Sequence, residues 1–358
     1  MKAGLEVRRT INLKSFEWLW ETQLGISVLS LGLSVLLLLI MSLMFGAQPL
    51  HVLISLFEGA LKGQRSLVST LSEMAVITLA GLAVLLPIRA GFFNIGGQGQ
   101  IEIGALAAVV VATNLQGSPA VVILTALLTA IVAGALIVVV PLVLKIKRGA
   151  SEVTTTIMMN FACIQLVFAM ITGALKDPAS FYGSTHTIQE SFRLPVFPQA
   201  LGTHAGVLLA IAIAILVYWL MSRTVFGMHL KAVGSNPTAA RAAGISVNKV
   251  LICSVLLGAG LAGLAGGIQA MGVTYKVAEG WSKTWGFTGI PVAFLGGNGL
   301  GIIPVAFLLA IMETGARYMQ AMTGVPSALV YVFKGIPVLV FICLTARRGL
   351  YHKKRNSD

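Results

Sequence analysis

Charged side chains are scarce in this 358-residue chain, at 10% of positions against 57% hydrophobic ones. A soluble domain of this length carries a far larger charged surface, so a free-standing aqueous fold is excluded. Cysteine is nearly missing. Cys163, Cys253 and Cys343 all fall inside apolar runs, where they read as small hydrophobes and imply neither a disulfide nor a metal. The histidines His51, His186, His204, His229 and His352 are scattered over loops and ends, without HExxH or any other metal-ligand spacing. No serine sits in a GxSxG elbow, and no acid, base and nucleophile line up, which sets an intramembrane enzyme aside. There is no GxxxxGK(S/T) loop either, so the chain has no means of binding ATP itself. The alternating pattern of a membrane barrel is likewise missing.

What is present is apolar and continuous. A mean hydropathy of +0.91 and successive runs of ~20 apolar residues predict an all-α, polytopic membrane protein. The formal charge of +13 is unevenly placed. Lys and Arg gather at 145–148, across 223–249 and at 347–355, which is the bias of cytoplasmic loops. No basic, aromatic-interleaved stretch is left over, so the surroundings are membrane lipid and nucleic acid is not a partner. Lys2, Arg8, Arg9 and Lys14 precede the run 24–45. That run exceeds a signal-peptide core of ~7–15 residues, so it reads as a retained first span leaving from the cytoplasm.

Residues 1–23 then form a cytoplasmic segment, 24–346 a transmembrane domain, and 347–358 a basic cytoplasmic tail. Expected spans are 24–45, 70–88, 98–113, 119–144, 152–175, 204–222, 250–272, 285–297, 301–318 and 326–346. That makes about ten transmembrane helices with both termini inside; eight spans plus a re-entrant hairpin satisfy the charge clusters as well. Residues 46–69 read as an outer segment holding an interfacial helix, and 176–203 and 273–285 as outer surfaces. Gly263-Leu-Ala-Gly-Gly267 gives the run 250–272 a small-residue face for close helix contact. Two Gly-interrupted stretches, 91–104 and 296–301, fall in corresponding places of the two halves. Such a pair points to an inverted-repeat transporter with its pathway at the breaks.

One of the few long polar interruptions carries the grammar of a short helix. Asn236 is a capping residue, Pro237 fits the first helical position, and Thr238 to Ala243 are followed by Gly244 as a left-handed stop. A helix of about two turns does not stand alone in water. The segment at about 235–245 must lie against this protein's inner surface or grip a partner.

Glu73, Glu102, Glu152 and Glu313 lie within or at the ends of apolar runs, where a carboxylate normally faces a cavity or a partner. Glu73 and Glu152 serve equally as helix-terminal caps. Phe92, Phe93 and Asn94, then Gln98 and Gln100 among glycines, combine aromatic faces, amides and exposed backbone. They suit a sugar hydroxyl or a stacked base; a helix break that needs glycine for close packing explains them as well.

Three stretches carry a resemblance to a known family. They are Arg89-x-Gly91-x-Phe93-Asn94-Ile95-Gly96-x-x-Gly99-Gln100, Glu152-Val-Thr-Thr-Thr-Ile-Met-Met-Asn160, and Gly234-x-Asn236-Pro237-x-Ala239-Ala240-Arg241-x-Ala243-Gly244-Ile245. Together they resemble the permeases of bacterial ABC importers that handle simple sugars, nucleosides and branched-chain amino acids. The likeness runs from about 20 to 348 and is greatest to the nucleoside branch that uses a basic-membrane-protein-type binding lipoprotein. Gln98 stands where many relatives have Glu, and Arg241-Ala-Ala-Gly lacks an aromatic often found there.

The resemblance implies a transport subunit in the bacterial cell membrane, itself neither an enzyme nor a cofactor carrier. Its implied partners are cytoplasmic ATP-binding subunits holding ATP and Mg, a second homologous permease, and an extracytoplasmic binding lipoprotein. Asn236, Pro237, Ala240, Arg241 and Gly244 would then form a coupling helix in the ATPase groove. Phe92, Phe93, Asn94, Gln98, Gln100, Glu102, Asn160, Asn298 and Glu313 are the candidates for the substrate pathway. A simple-sugar permease is the nearest alternative; a secondary transporter relaying protons through Glu102 or Glu313 is the alternative of another class.

Overall fold

The computed structural model describes residues 23–197, 202–297, 299–329 and, beyond them, 331, 332, 335, 336, 339, 340 and 343. The expected terminal segments, Asn298 and most of the expected span 326–346 therefore lie outside the described residues. The described chain is helical. In order it forms α1 (Gln23–Met44), α2 (Pro49–Leu61), α3 (Gln64–Arg89), α4 (Gly97–Asn114), α5 (Pro119–Arg148), α6 (Glu152–Thr172), α7 (Ala205–Arg223), α8 (Val225–Ser235), α9 (Pro237–Ala242), α10 (Val247–Gln269), α11 (Trp285–Leu295) and α12 (Ile302–Thr323). Seven of them are long and apolar enough to cross a membrane: α1, α3, α5, α6, α7, α10 with its extension to Thr274, and α12.

The bundle is built around α3. Its apolar window is 89% buried, against 33% for α5 and α7, which turn wide apolar faces outward as lipid-facing helices do. α3 packs on α10, α11, α12 and α7, while α10 packs on α5 and α4 as well. The small residues of α10 make this possible. A Cβ added to Gly263 would lie 2.1 Å from the Ala130 carbonyl oxygen, and one added to Gly104 only 2.3 Å from that of Gly263. Backbones this close gain dispersion contacts without a hydrophobic drive, which lipid does not supply.

The structure differs from the sequence expectation in three places. Residues 46–69 hold the helix α2, which docks on α12 and buries Val52, Leu56 and Ala60, but α3 already begins at Gln64, ahead of the expected span start at 70. The 223–249 segment holds two consecutive helices, α8 and α9, rather than one short helix in a loop. The glycines at 296–301 do separate α11 from α12, but as a short turn; the non-helical return that matches the one after α3 lies at 275–284 instead, within the stretch 273–285 expected at the outer surface.

Candidate functional site

α3 ends where Pro87 and the left-handed Gly91, φ +82°, turn the chain out of the helix. The following stretch to Gly96 is not helical, so its backbone groups need partners from elsewhere. Side-chain amides supply them. Asn94 Oδ1 accepts from Gly96 N at 2.9 Å, and Asn94 Nδ2 donates to Gln100 Oε1 at 3.1 Å. From α6, Asn160 Nδ2 donates to the Ile95 carbonyl at 2.6 Å while Asn160 Oδ1 accepts from Gly99 N at 2.8 Å. Thr156 Oγ1 accepts from Ile95 N at 3.2 Å. Gly99 is required here, because a Cβ would sit 2.8 Å from that of Cys163.

Of the residues expected to line a pathway, Asn94, Gln100 and Asn160 are thus brought together, joined to each other's neighbourhood by backbone. Phe92 is fully buried among Val138, Leu142, Val255 and Ala259, and Phe93 meets Phe294 edge-on at 6.2 Å between ring centroids. Gln98 reaches the other return of the chain. It donates to the Ser282 hydroxyl and to the Lys283 carbonyl at 3.1 Å, donates to Glu102 Oε1 at 3.2 Å, and accepts from Gly286 N at 2.9 Å.

Above this junction the 275–284 return, α3, α10 and α12 line a half-open cavity of about 330 Å³. Glu73 and Glu313 line it, together with Gln269, Trp281, Lys283, Trp285 and Arg317. Glu73 does not cap α3; it sits well inside that helix, paired with Lys283, and its Oε2 accepts from Trp285 Nε1 at 2.6 Å. The sequence reading missed Gln269, Trp281, Lys283 and Trp285. The signal was there: two of the chain's five tryptophans lie four residues apart with a lysine between them.

On the opposite end of the bundle α9 is displayed. Asn236 Oδ1 accepts from both Thr238 N and Ala239 N at 3.0 Å, Pro237 opens the helix, and Gly244 ends it at φ +81°. Only Ala240 is buried; Asn236, Pro237, Arg241 and Gly244 are exposed. α8 anchors it, burying Leu230 and Val233, and passes so close to the end of α3 that a Cβ on Gly234 would lie 2.1 Å from the Arg89 carbonyl.

Comparison with known proteins resolves what the arrangement belongs to. The family model described as the permease component of branched-chain amino acid transport systems matches residues 66–342. This chain belongs to that permease family. Among curated relatives, the guanosine ABC transporter permease NupP of Bacillus subtilis is 35% identical over 275 residues, 75% of this chain and 79% of that one. The glucose ABC transporter permease TsgB13 of Haloferax volcanii is 32% identical over 85% of this chain and 84% of its own. The nucleoside ABC transporter permease NupB of Lactococcus lactis is 31% identical over 82% and 83%.

As a permease of this family, the chain is a multi-pass transport subunit of an ABC importer and not an enzyme. Its matched region takes in the broken α3–α4 connection, the cavity and α9 together.

Proposed function

We propose that this permease carries a nucleoside inward, driven by ATP that cytoplasmic partner subunits hydrolyse. The observation that carries the reading is the likeness to the guanosine and nucleoside permeases along most of their lengths. The partner subunits dock on α9, a helix too short to persist in water unless capped and held, yet exposed on every side but Ala240. α9 is joined through α8 to the inner end of α3, so movement of the docked subunit is passed to the bundle's central helix. A second permease and a binding lipoprotein complete the complex, the lipoprotein delivering at the 176–197 side.

We read the bundle as two inverted repeats, about ten spans in all with both termini cytoplasmic. Two features support this. α3 and α10 run oppositely, since Glu73 early in α3 and Gln269 at the end of α10 line one cavity while Pro87 late in α3 packs on Gly258, and each is followed by a non-helical return and a shorter helix, α4 and α11. The first turns of those shorter helices touch at Gly97 and Gly286, as two repeats meeting at one axis require. Phe93, Gln98, Glu102, Asn298 and Glu313 remain the pathway candidates; Phe92, Asn94, Gln100 and Asn160 shape the break beside them.

The test is uptake by cells lacking their own nucleoside import and expressing this chain with its ATPase, companion permease and binding protein. Radiolabelled guanosine should accumulate, survive an uncoupler while ATP is maintained, and be out-competed by other nucleosides. The likeness to a glucose permease supports a sugar as the second reading; accumulation of glucose in place of guanosine would establish it. Loss of uptake on uncoupling alone would instead return attention to Glu102 and Glu313 as proton carriers.

A further inference from the structure

α10 ends at Gln269, where its backbone relaxes into a π-turn over Ala270–Thr274. Such turns leave the regular helical ladder and aim groups that a straight helix would keep to itself. Gln269 is only 4% exposed, it faces the cavity, and its Oε1 has no partner. Two more wall atoms share that condition: Trp281 Nε1 and Thr314 Oγ1 are buried without a hydrogen-bond partner. Buried polar atoms are normally paired, so three unpartnered ones in the wall of one cavity mark a recognition site.

The three atoms differ in kind. Gln269 Oε1 accepts only, Trp281 Nε1 donates only, and Thr314 Oγ1 does either. The Trp281 and Trp285 rings stand 5.5 Å apart at 57°. Trp285 is fixed by its own hydrogen bond to Glu73, which Lys283 neutralises, so neither Glu73 nor Trp285 Nε1 is left over for a ligand. About 330 Å³ is at the small end of the ~300–1,000 Å³ of ligand pockets and holds a single nucleoside-sized molecule.

We propose that this cavity is a binding site for the base of the transported nucleoside, which the base enters by stacking on the Trp281 indole and presenting its N–H edge to Gln269 and an acceptor to Trp281 Nε1. The proposal rests on the nucleoside reading above. A nucleobase offers a flat π-face with N–H donors and ring-nitrogen or carbonyl acceptors on one rim, which matches this wall. The way in lies on the side of the 176–197 loop. Thr185 N bonds Val277 O at 2.9 Å, Ile188 N bonds Tyr275 O at 2.8 Å and Leu194 N bonds Met271 O at 3.0 Å, stitching that loop to the π-turn and to the return that carries Trp281.

The test uses the complete transporter purified in detergent, with guanosine and glucose as probes. Guanosine should quench tryptophan emission saturably. Gln269→Leu and Trp281→Phe, which delete one acceptor and one N–H, should each raise half-saturation and the KM for guanosine uptake at least tenfold; an unchanged thermal midpoint shows that each variant is folded. Guanosine uptake with no shift in either variant overturns the site and leaves the nucleoside reading intact. Quenching and uptake by glucose without guanosine overturn both.

Discussion

Gln98 and Gly286 are hydrogen-bonded across the centre of the bundle: the side-chain oxygen at the start of α4 accepts from the backbone N–H at the start of α11, at 2.9 Å. These residues are 188 positions apart, yet they join the two non-helical returns of the chain. The contact is as tight as backbone allows. A Cβ on Gly286 would lie 2.2 Å from Gln98 N and 2.4 Å from Gln98 Cα. Neither atom belongs to a flexible end that can swing away.

Gly286→Ala should therefore force the two helix starts apart, at about 1–3 kcal/mol or more as overpacking of a close contact costs. Gly32→Ala is the control, since nothing lies within 4 Å of a Cβ there. Thermal midpoints in detergent should fall for the first and stay level for the second. Equal midpoints would mean that the α4–α11 junction gives way easily and does not hold the returns together.

Asn160 is the other pin, because one amide serves both Ile95 O and Gly99 N. Asn160→Ala leaves two backbone groups inside the bundle without partners, each worth ~1–3 kcal/mol when unsatisfied. We expect a midpoint several degrees lower and a poorly expressed protein. Asn160→Asp keeps the acceptor for Gly99 N but sets a buried carboxylate oxygen against the Ile95 carbonyl, so its midpoint should fall at least as far. A midpoint unchanged in either variant would mean that the amide's double role is not what closes the break.

The parts of the molecule that local chemistry dictates were legible in the sequence. The long helices follow from apolar run length, and α9 from the capping residue Asn236, Pro237 and the stop at Gly244, all within a few positions. The break after Arg89 was visible in its glycines. Its counterpart was sought in the glycines at 296–301, but the second return is at 275–284, where the chain turns through Tyr275, a non-glycine residue at φ +59°. The cavity was illegible for a different reason. Glu73, Gln269, Trp281 and Glu313 come from four elements, and only their packing brings them to one space. For Asn94, Gln100 and Asn160 the sequence leaves open whether an amide meets ligand or backbone; the structure shows each bonded to the broken segment or to its flanking helix.

At α9 the cap and the charge have separable effects. Asn236→Ala removes both acceptor contacts to Thr238 N and Ala239 N and should cost ~1 kcal/mol of local helix stability, enough to melt a helix this short. Asn236→Asp keeps both. Arg241→Glu leaves the helix in place and reverses the one charge on its exposed face. Tagged protein should co-purify with the ATPase subunit as wild type and Asn236→Asp, and lose it as Asn236→Ala and Arg241→Glu. Retention by Arg241→Glu, together with normal uptake, would place the docking surface elsewhere.

His204 supplies a pH test just outside α7, which begins at Ala205, one residue later than the expected span 204–222. It lies just ahead of α7, 4% exposed, with neither ring nitrogen partnered, and packs on the π-turn at Gly272. Burial holds its pKa down from 6.5 to about 4. Folded protein therefore keeps the ring neutral between those values while the opened state takes up a proton. Below pH 6.5 the opened state gains, and stability falls towards pH 4 by up to ~1.4 kcal/mol per pH unit, with no such contribution above 6.5. The thermal midpoint of the detergent-purified protein should drop between pH 7 and pH 5, and His204→Gln should flatten that slope. A slope unchanged in the variant would assign the acid sensitivity to another group and leave His204 as packing for the segment that leads to Trp281.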